Sequence, residues 1–271
     1  DLVRSLGVEV ASSADLVQFF EARWSPAQIE MHREAGRRVD AVLREAFDAI
    51  GHGVRGGKCD EFTIAEFIRR RFRESGLTTE HGPVVAVNAH SGDPHYEPTR
   101  ERSALIRRDD FVLIDLWAKL AEPDAVYYDI TWVGHCGGAG TERHQGIFVI
   151  VRDARDRALR FIQEAVAEKR EIMGWEADAV ARGHIEESGY GAYFTHRLGH
   201  SIGEDIHGVG ANLDNFETRD ERALIPGTCF SIEPGIYLPE FGVRSEINCL
   251  IDADGANATG PVQQDIVRID C

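Results

Sequence analysis

Four carboxylates stand where apolar strands would bury them. Asp115 closes the run Phe111-Val112-Leu113-Ile114, and Asp129 stands in Val126-Tyr127-Tyr128-Asp129-Ile130. Glu233 closes Cys229-Phe230-Ser231-Ile232, and Glu246 lies within the stretch 243–250. The intervals correspond: Asp129 follows Asp115 by 14 positions, and Glu246 follows Glu233 by 13. Burying a lone carboxylate is costly, and four that converge cannot all stay ionised without cations. Two divalent ions would cancel the four charges, and an imidazole would complete the shell. The candidate imidazoles are His196 and His200, in His196-Arg197-Leu198-Gly199-His200-Ser201-Ile202-Gly203, with His207 further on. The first two have the spacing of a helical zinc pair. The Glu of an HExxH motif is missing, however, and Gly199 and Gly203 disfavour a helix. A strand or turn presenting alternate residues fits better. Oxygen donors with one imidazole favour Mn²⁺, with Co²⁺, Fe²⁺ or Zn²⁺ as alternatives, over a thiolate zinc site. Cys136 beside His135 is then a bystander.

The elements that must carry these groups repeat along the chain. Residues 1–24 read as a lead-in or linker: a strand-like Val8-Glu9-Val10, then Ser12-Ser13 and a short helix. Ser25-Pro26 starts a helix, with Ser as N-cap and Pro in the first position. Ala35, Val39, Val42, Leu43, Ala46, Phe47 and Ile50 share one face of it, and Gly51 and Gly53 are expected to end it. A second helix over 63–75 buries Ile64, Phe67, Ile68 and Phe72 and closes at Gly76. Strands are expected at 84–87, 111–115 and 126–130. A turn at Ser91-Gly92-Asp93-Pro94 precedes His95-Tyr96. After the break Gly137-Gly138-Ala139-Gly140 come helices over 142–169 and 175–188, the His- and Gly-rich segment, and strands at 228–232 and 243–250. Each half thus has two helices, a histidine-bearing segment and a hairpin. This weak repeat implies two similar α/β halves meeting at an acidic centre, and its period is far too long for a solenoid.

Bulk properties bound the function. At 271 residues the chain can form one large domain or two small ones. A net charge of −16 argues against nucleic acid, whose phosphates reward Lys and Arg. Arg69-Arg70-Arg71 reads as a solvated helix face among acids. Five cysteines, odd in number, widely spaced and without a CxxC, read as a reduced, intracellular and therefore cytoplasmic protein. No apolar run reaches membrane-spanning length. The chain starts at Asp1 without Met, consistent with a leader or upstream domain having been removed.

Asp115, Asp129, His200, Glu233 and Glu246 resemble the five metal ligands of the pita-bread metallopeptidases, the family of methionine aminopeptidase, aminopeptidase P and prolidase. The most specific parts are Ile232-Glu233-Pro234-Gly235-Ile236-Tyr237, Gly199-His200-Ser201-Ile202-Gly203 with His207, and Asp129-Ile130-Thr131. The likeness covers residues 25–271, expected to form the catalytic domain. It implies two pseudo-symmetric α/β (α+β) halves, with helices packed on a curved antiparallel sheet. Within the family the chain is most similar to the proline-specific branch, in His95-Tyr96, in His207-Gly208-Val209-Gly210 and in Arg244-Ser245-Glu246. The lead-in at 1–24 resembles the link from that branch's N-terminal domain.

The resemblance implies two divalent ions, one on Asp115, Asp129 and Glu246, the other on Asp129, His200, Glu233 and Glu246. It implies that hydroxide held between the ions attacks the scissile carbonyl, with Glu233 taking its proton, His95 and His207 steadying the oxyanion, and His196 and Arg244 orienting substrate. The implied activity is that of an Xaa-Pro aminopeptidase or dipeptidase acting on a peptide, in a chain that pairs into a homodimer. Another hydrolytic substrate, or peptide binding without catalysis, is the alternative that pita-bread domains offer. Three departures bear on substrate choice and leave the ligands intact. Trp132 replaces the branch's usual Arg, Asn248 stands where an acid is common, and the loop between Asp115 and Asp129 is longer.

Overall fold

The Ser25 cap forms as the sequence requires. In the computed structural model, which describes residues 2–271, the Ser25 hydroxyl accepts from the Gln28 amide while the Gln28 side chain accepts from the Ser25 amide. Before it lie two short helices, α1 (Leu2–Ser5) and α2 (Ala14–Val17), the latter running into a π-turn over Gln18–Ala22. The strand expected at Val8–Val10 is absent. Val8 and Val10 are exposed, and no neighbouring strand offers the pairing that would hold so short a segment. From Gln18 onward the segment is tied down: its side chain donates to the Ala223 carbonyl at 2.8 Å and accepts from the Ala211 amide at 2.5 Å.

Helix α3 (Pro26–Arg55) runs straight through Gly51 and Gly53, against expectation. Gly51 is a close-approach residue: a Cβ there would lie 2.4 Å from the Asp270 carbonyl oxygen, so the chain's last segment packs on the helix backbone. Helix α4 (Glu61–Glu74) is capped by Asp60 and followed by Gly76 at φ +68°, where glycine costs least. Strands β1 (Leu77–Thr78), β2 (Val84–Val87), β3 (Phe111–Leu120) and β4 (Tyr128–Cys136) follow, then helices α5 (Glu142–Ala167) and α6 (Gly174–Glu187). The remainder is β5 (Ser201–Ile202), β6 (Cys229–Ile232), β7 (Gly235–Tyr237), β8 (Gly242–Arg244), β9 (Ile247–Asp252), β10 (Gly255–Ala258) and β11 (Val267–Ile269). The single strand expected over 243–250 is thus two, parted at Ser245-Glu246.

In the first half, β1 and β2 pair with β3, β3 with β4, and β4 with β11. All pairings are antiparallel except β4 with β11. In the second half the order is β10-β9-β6-β5, antiparallel throughout, with β7 and β8 as a separate hairpin. One hydrophobic core lies between α3, α4 and the first sheet, around Val39, Ile50, Ile68, Ile114 and Ile130. The other lies between α5, α6 and the second sheet, around Phe148, Ile162, Ile185, Phe230 and Cys249. The internal echo in the sequence is therefore a structural one.

Where the halves meet, the edge of β4 ahead of its pairing with β11 is completed by single groups rather than by a strand. The Asn248 side chain bonds both the amide (3.0 Å) and the carbonyl (2.8 Å) of Asp129. The Glu246 amide donates to the Thr131 carbonyl at 3.1 Å. The Gln263 side chain bonds both the amide (3.1 Å) and the carbonyl (2.7 Å) of Val133. Arg155, fully buried on α5, supports this seam by donating to Ser245 Oγ and, at 2.9 Å, to the Gln263 carbonyl.

Candidate metal centre

Strand register explains how four carboxylates come to one place. Asp115 is not at a strand end, as expected, but inside β3, which continues to Leu120 because Leu116, Ala118 and Leu120 are buried in alternation. Asp115 pairs with Thr131, and Asp129 with Trp117. Directly opposed residues share a face, so Asp115, Asp129 and Thr131 point the same way. In the second half, β6 and β9 pair as far as Ile232 with Ile247. The same register continued by one residue sets Glu233 opposite Glu246.

His200 enters from the loop before β5. Gly199 lets this loop lie against β6: a Cβ there would be 2.0 Å from the Ser231 carbonyl oxygen. The ring is held by Nδ1, 3.1 Å from the Ser201 carbonyl, which makes Nδ1 the donor and turns Nε2 to the acids. Nε2 faces Asp129 Oδ2 and Glu233 Oε1, each at 3.5 Å. Burial would lower the imidazole, but these carboxylates outweigh it and hold the group above its ordinary range. One ligand atom from each of Asp129, His200 and Glu246 lies within 4.8 Å of the others. Asp129 Oδ1 and Glu246 Oε1 are buried and have no hydrogen-bond partner. Clustered carboxylates with two orphaned, buried oxygens carry an excess of negative charge that a divalent cation would offset. The donor set fits such an ion.

The electrostatics say the same. Burial pushes the Asp115 carboxyl up to about 7, helped by Asp129 and Glu233 and opposed by Arg244. Burial raises Glu246 as well, together with the charges of Asp129, Glu233 and Asp115. Asp129 also rises through burial, against the pull of His200. Burial would raise Glu233 too, but His200, His196 and Arg244 outweigh it and hold that group low.

Asp115 lies apart from the close triplet, paired with the Arg244 guanidinium. Arg244 also donates to Thr131 Oγ1 at 2.9 Å and to the Tyr237 hydroxyl at 3.1 Å. Thr131 Oγ1 in turn donates a hydrogen bond to Glu246 Oε2 at 2.8 Å. The Tyr237 hydroxyl meets His196 Nε2 at 2.7 Å, and His196 Nδ1 meets the Arg197 carbonyl at 2.7 Å, so the tyrosine donates and the His196 tautomer is set. All nine residues singled out in the sequence, Asp115, Asp129, His200, Glu233, Glu246, His95, His196, His207 and Arg244, line one cavity of about 720 Å³. His207 stands edge-on to His200, ring centroids 4.5 Å apart. His95 is exposed at the wall. Cys136 is buried in the first core, away from the cavity.

Thr131, Tyr237, Ser231 and Asn248 support the site as well. Thr131 and Tyr237 belong to the motifs Asp129-Ile130-Thr131 and Ile232-Glu233-Pro234-Gly235-Ile236-Tyr237. Ser231 accepts from the His200 amide at 2.9 Å and donates to Glu233 at 3.0 Å. Asn248 is visible in sequence only as a departure from the family pattern and Ser231 carries no signal, since each acts on a residue of another segment.

Comparison with known proteins gives the family. A model of metallopeptidase family M24 matches residues 30–253. An Xaa-Pro dipeptidase of Pyrococcus horikoshii is 32% identical over 255 residues, covering 93% of this chain and 66% of that protein. An Xaa-Pro dipeptidase of Lactobacillus helveticus is 31% identical over 240 residues, covering 85% of this chain and 58% of that protein. The chain therefore spans less than two thirds of the length of these relatives. Among solved structures, an X-Pro aminopeptidase from Thermotoga maritima superposes with a TM-score of 0.79 at 25% identity, over 94% of this chain and 67% of the other. A prolidase from Pyrococcus horikoshii gives 0.77 at 27%, over 93% and 67%.

Proposed function

Because the chain belongs to metallopeptidase family M24 and has its pita-bread fold, we propose that it is a metal-dependent hydrolase of the peptide bond preceding proline. The observation that carries this reading is the pair of orphaned, buried oxygens of Asp129 and Glu246, two residues that group closely with His200. Two divalent ions, Mn²⁺ foremost, would be held by Asp115, Asp129 and Glu246 and by Asp129, His200, Glu233 and Glu246. When bound, such ions polarise a carbonyl and acidify water.

The protein's own groups would do the rest. Glu233, kept low by His200, His196 and Arg244, is suited to accept a proton at Oε1 or Oε2 and return it to the leaving amine. His207 and His95, which both line the cavity, would donate to the scissile carbonyl as negative charge develops there. Arg244 and His196, joined through Tyr237, would fix the floor of the cavity. A bond before proline has no N–H and a fixed φ, so its recognition needs room for a ring and a grip on the carbonyl. Val84, Trp117 and Ile206 line the cavity and supply an apolar wall for it.

The catalytic unit is residues 25–271, with 1–24 as lead-in. Five free cysteines, four of them buried, support a reduced cytoplasmic setting. Among the described residues no helix is long and apolar enough to cross a membrane. A homodimer is proposed from the family resemblance. The substrate assignment is tested on a panel of Xaa-Pro and Xaa-Ala peptides with Mn²⁺ present. Xaa-Pro should be cleaved about tenfold faster in kcat/KM, or about 1.4 kcal/mol of differential transition-state binding. Equal cleavage of Xaa-Ala, or no cleavage by metal-loaded protein, would overturn the proline assignment.

A further inference from the structure

Outside the carboxylate cluster, one buried acid holds a wall of the cavity. Glu61, in the first turn of α4, is 0% exposed. Its carboxylate accepts from the Val87 amide at 2.7 Å, the Ala104 amide at 2.7 Å, His90 Nδ1 at 2.9 Å and the Tyr96 hydroxyl at 2.5 Å. All four donors lie within residues 87–104. Val87 and Ala104 are the ends of that segment, and His90 and Tyr96 lie in its middle. Among the described residues no Lys or Arg pairs with Glu61. A buried carboxylate without a cationic partner is tolerable only while such donors stay in place. The conformation of the segment and the burial of the charge therefore depend on each other.

The segment matters because it carries His95 to the cavity. Tyr96 is 2% exposed, stacks on His90 with ring centroids 4.3 Å apart, and is anchored by its hydroxyl, whose single proton is shared between Glu61 and the Arg102 carbonyl. That anchor sits one residue from His95. We propose that Glu61 is a positioning residue for the reaction, acting through Tyr96 and His90 to hold His95 at the cavity wall. The inference rests on the metallopeptidase reading above.

Steady-state kinetics on Ala-Pro with Mn²⁺-loaded protein test it, in the parent, Glu61→Gln, Tyr96→Phe, His95→Ala and the double variant Glu61→Gln/His95→Ala. Gln keeps the volume of Glu but turns an amide donor toward donors. In Glu61→Gln, kcat should fall about tenfold with KM within about threefold and Mn²⁺ content unchanged. With His95 already removed, the further loss from Glu61→Gln should be under about twofold, because the two act as one unit. A full, multiplicative loss in the double variant would mean Glu61 does not act through His95 and would overturn the proposal. Tyr96→Phe keeps the ring and its stack and should lose about threefold in kcat. If Glu61→Gln does not fold, an unchanged kcat in Tyr96→Phe overturns the proposal. A parent that cleaves no Xaa-Pro peptide would refute the substrate reading instead. In that case, or where His95→Ala has no measurable turnover, amide hydrogen exchange decides. Protection at Val87 and Ala104 that is lost in Glu61→Gln or Tyr96→Phe supports the clamp, and equal protection overturns it.

Discussion

Replacing Asn248 with Ala should strike the seam between the halves at its metal end. Asn248 is 1% exposed, and its side chain is the partner of both the amide and the carbonyl of Asp129. A buried backbone group left without a partner costs about 1–3 kcal/mol, so the pair costs about 2–6 kcal/mol. In a chain of this size that lowers Tm by about 4–10 °C. Gln263→Ala is the matched control. It removes the same pair of bonds from Val133, farther along β4, and one more to the Asp265 carbonyl. Its Tm should fall at least as far. Mn²⁺ affinity should separate the two variants. Asp129 is the proposed shared ligand, and Asn248 fixes the backbone that presents it, so Asn248→Ala should weaken Mn²⁺ binding about tenfold or more. Gln263→Ala should stay within about threefold of the parent. Calorimetric melting and Mn²⁺ titration read both quantities. A Tm loss under about 2 °C in Asn248→Ala, or equal Mn²⁺ affinities in the two variants, would refute the reasoning.

Protein prepared with Mn²⁺ should hold close to two ions per chain. Stripping them should lower Tm, since the Asp129 and Glu246 oxygens lose their counter-charge; an unchanged Tm with no metal bound would sink the site. Glu233→Gln keeps the shape and removes the base, so turnover should fall by about a hundredfold or more with folding retained. Activity within a few-fold of the parent would count against the assigned role. Acid should unfold the protein partly through His32, which is fully buried between the Tyr127 carbonyl and Thr259 and is pushed down to about 4 by burial. Between pH 6.5 and 4 the unfolded chain takes up a proton that the folded one refuses, so stability falls with pH across that window by up to about 3 kcal/mol. Asp40, pushed up to about 6 by burial, opposes this between pH 3.8 and 6. Urea unfolding of parent and His32→Gln at several pH values isolates the histidine's share, and parallel curves would show that it has none.

Sequence alone was enough for the parts of this protein that are written in local order. The Ser25-Pro26 cap, the apolar faces of α3 and α4, the correspondence of the two hairpins and seven of the residues that line the cavity could be read from spacing and residue type, whereas His95 and Arg244 were legible only through the family resemblance. Local rules failed where a distant segment overrules them. Gly51 and Gly53 look like a helix stop, yet α3 continues to Arg55 because the backbone at Asp270 packs where a side chain would otherwise stand. Asp115 looks like a strand end, yet pairing with β4 extends β3 to Leu120. Val8–Val10 looks like a strand and is none, because nothing pairs with it. The same holds within the site. Candidate metal ligands are visible in residue type, because few reasons exist to bury four acids. The groups that aim the candidate site residues are not: Asn248 on Asp129, Ser231 between His200 and Glu233, and Glu61 beneath the His95 segment. They act through hydrogen bonds between residues far apart in the chain, and only the packing of strand on strand and helix on loop decides which donor meets which acceptor.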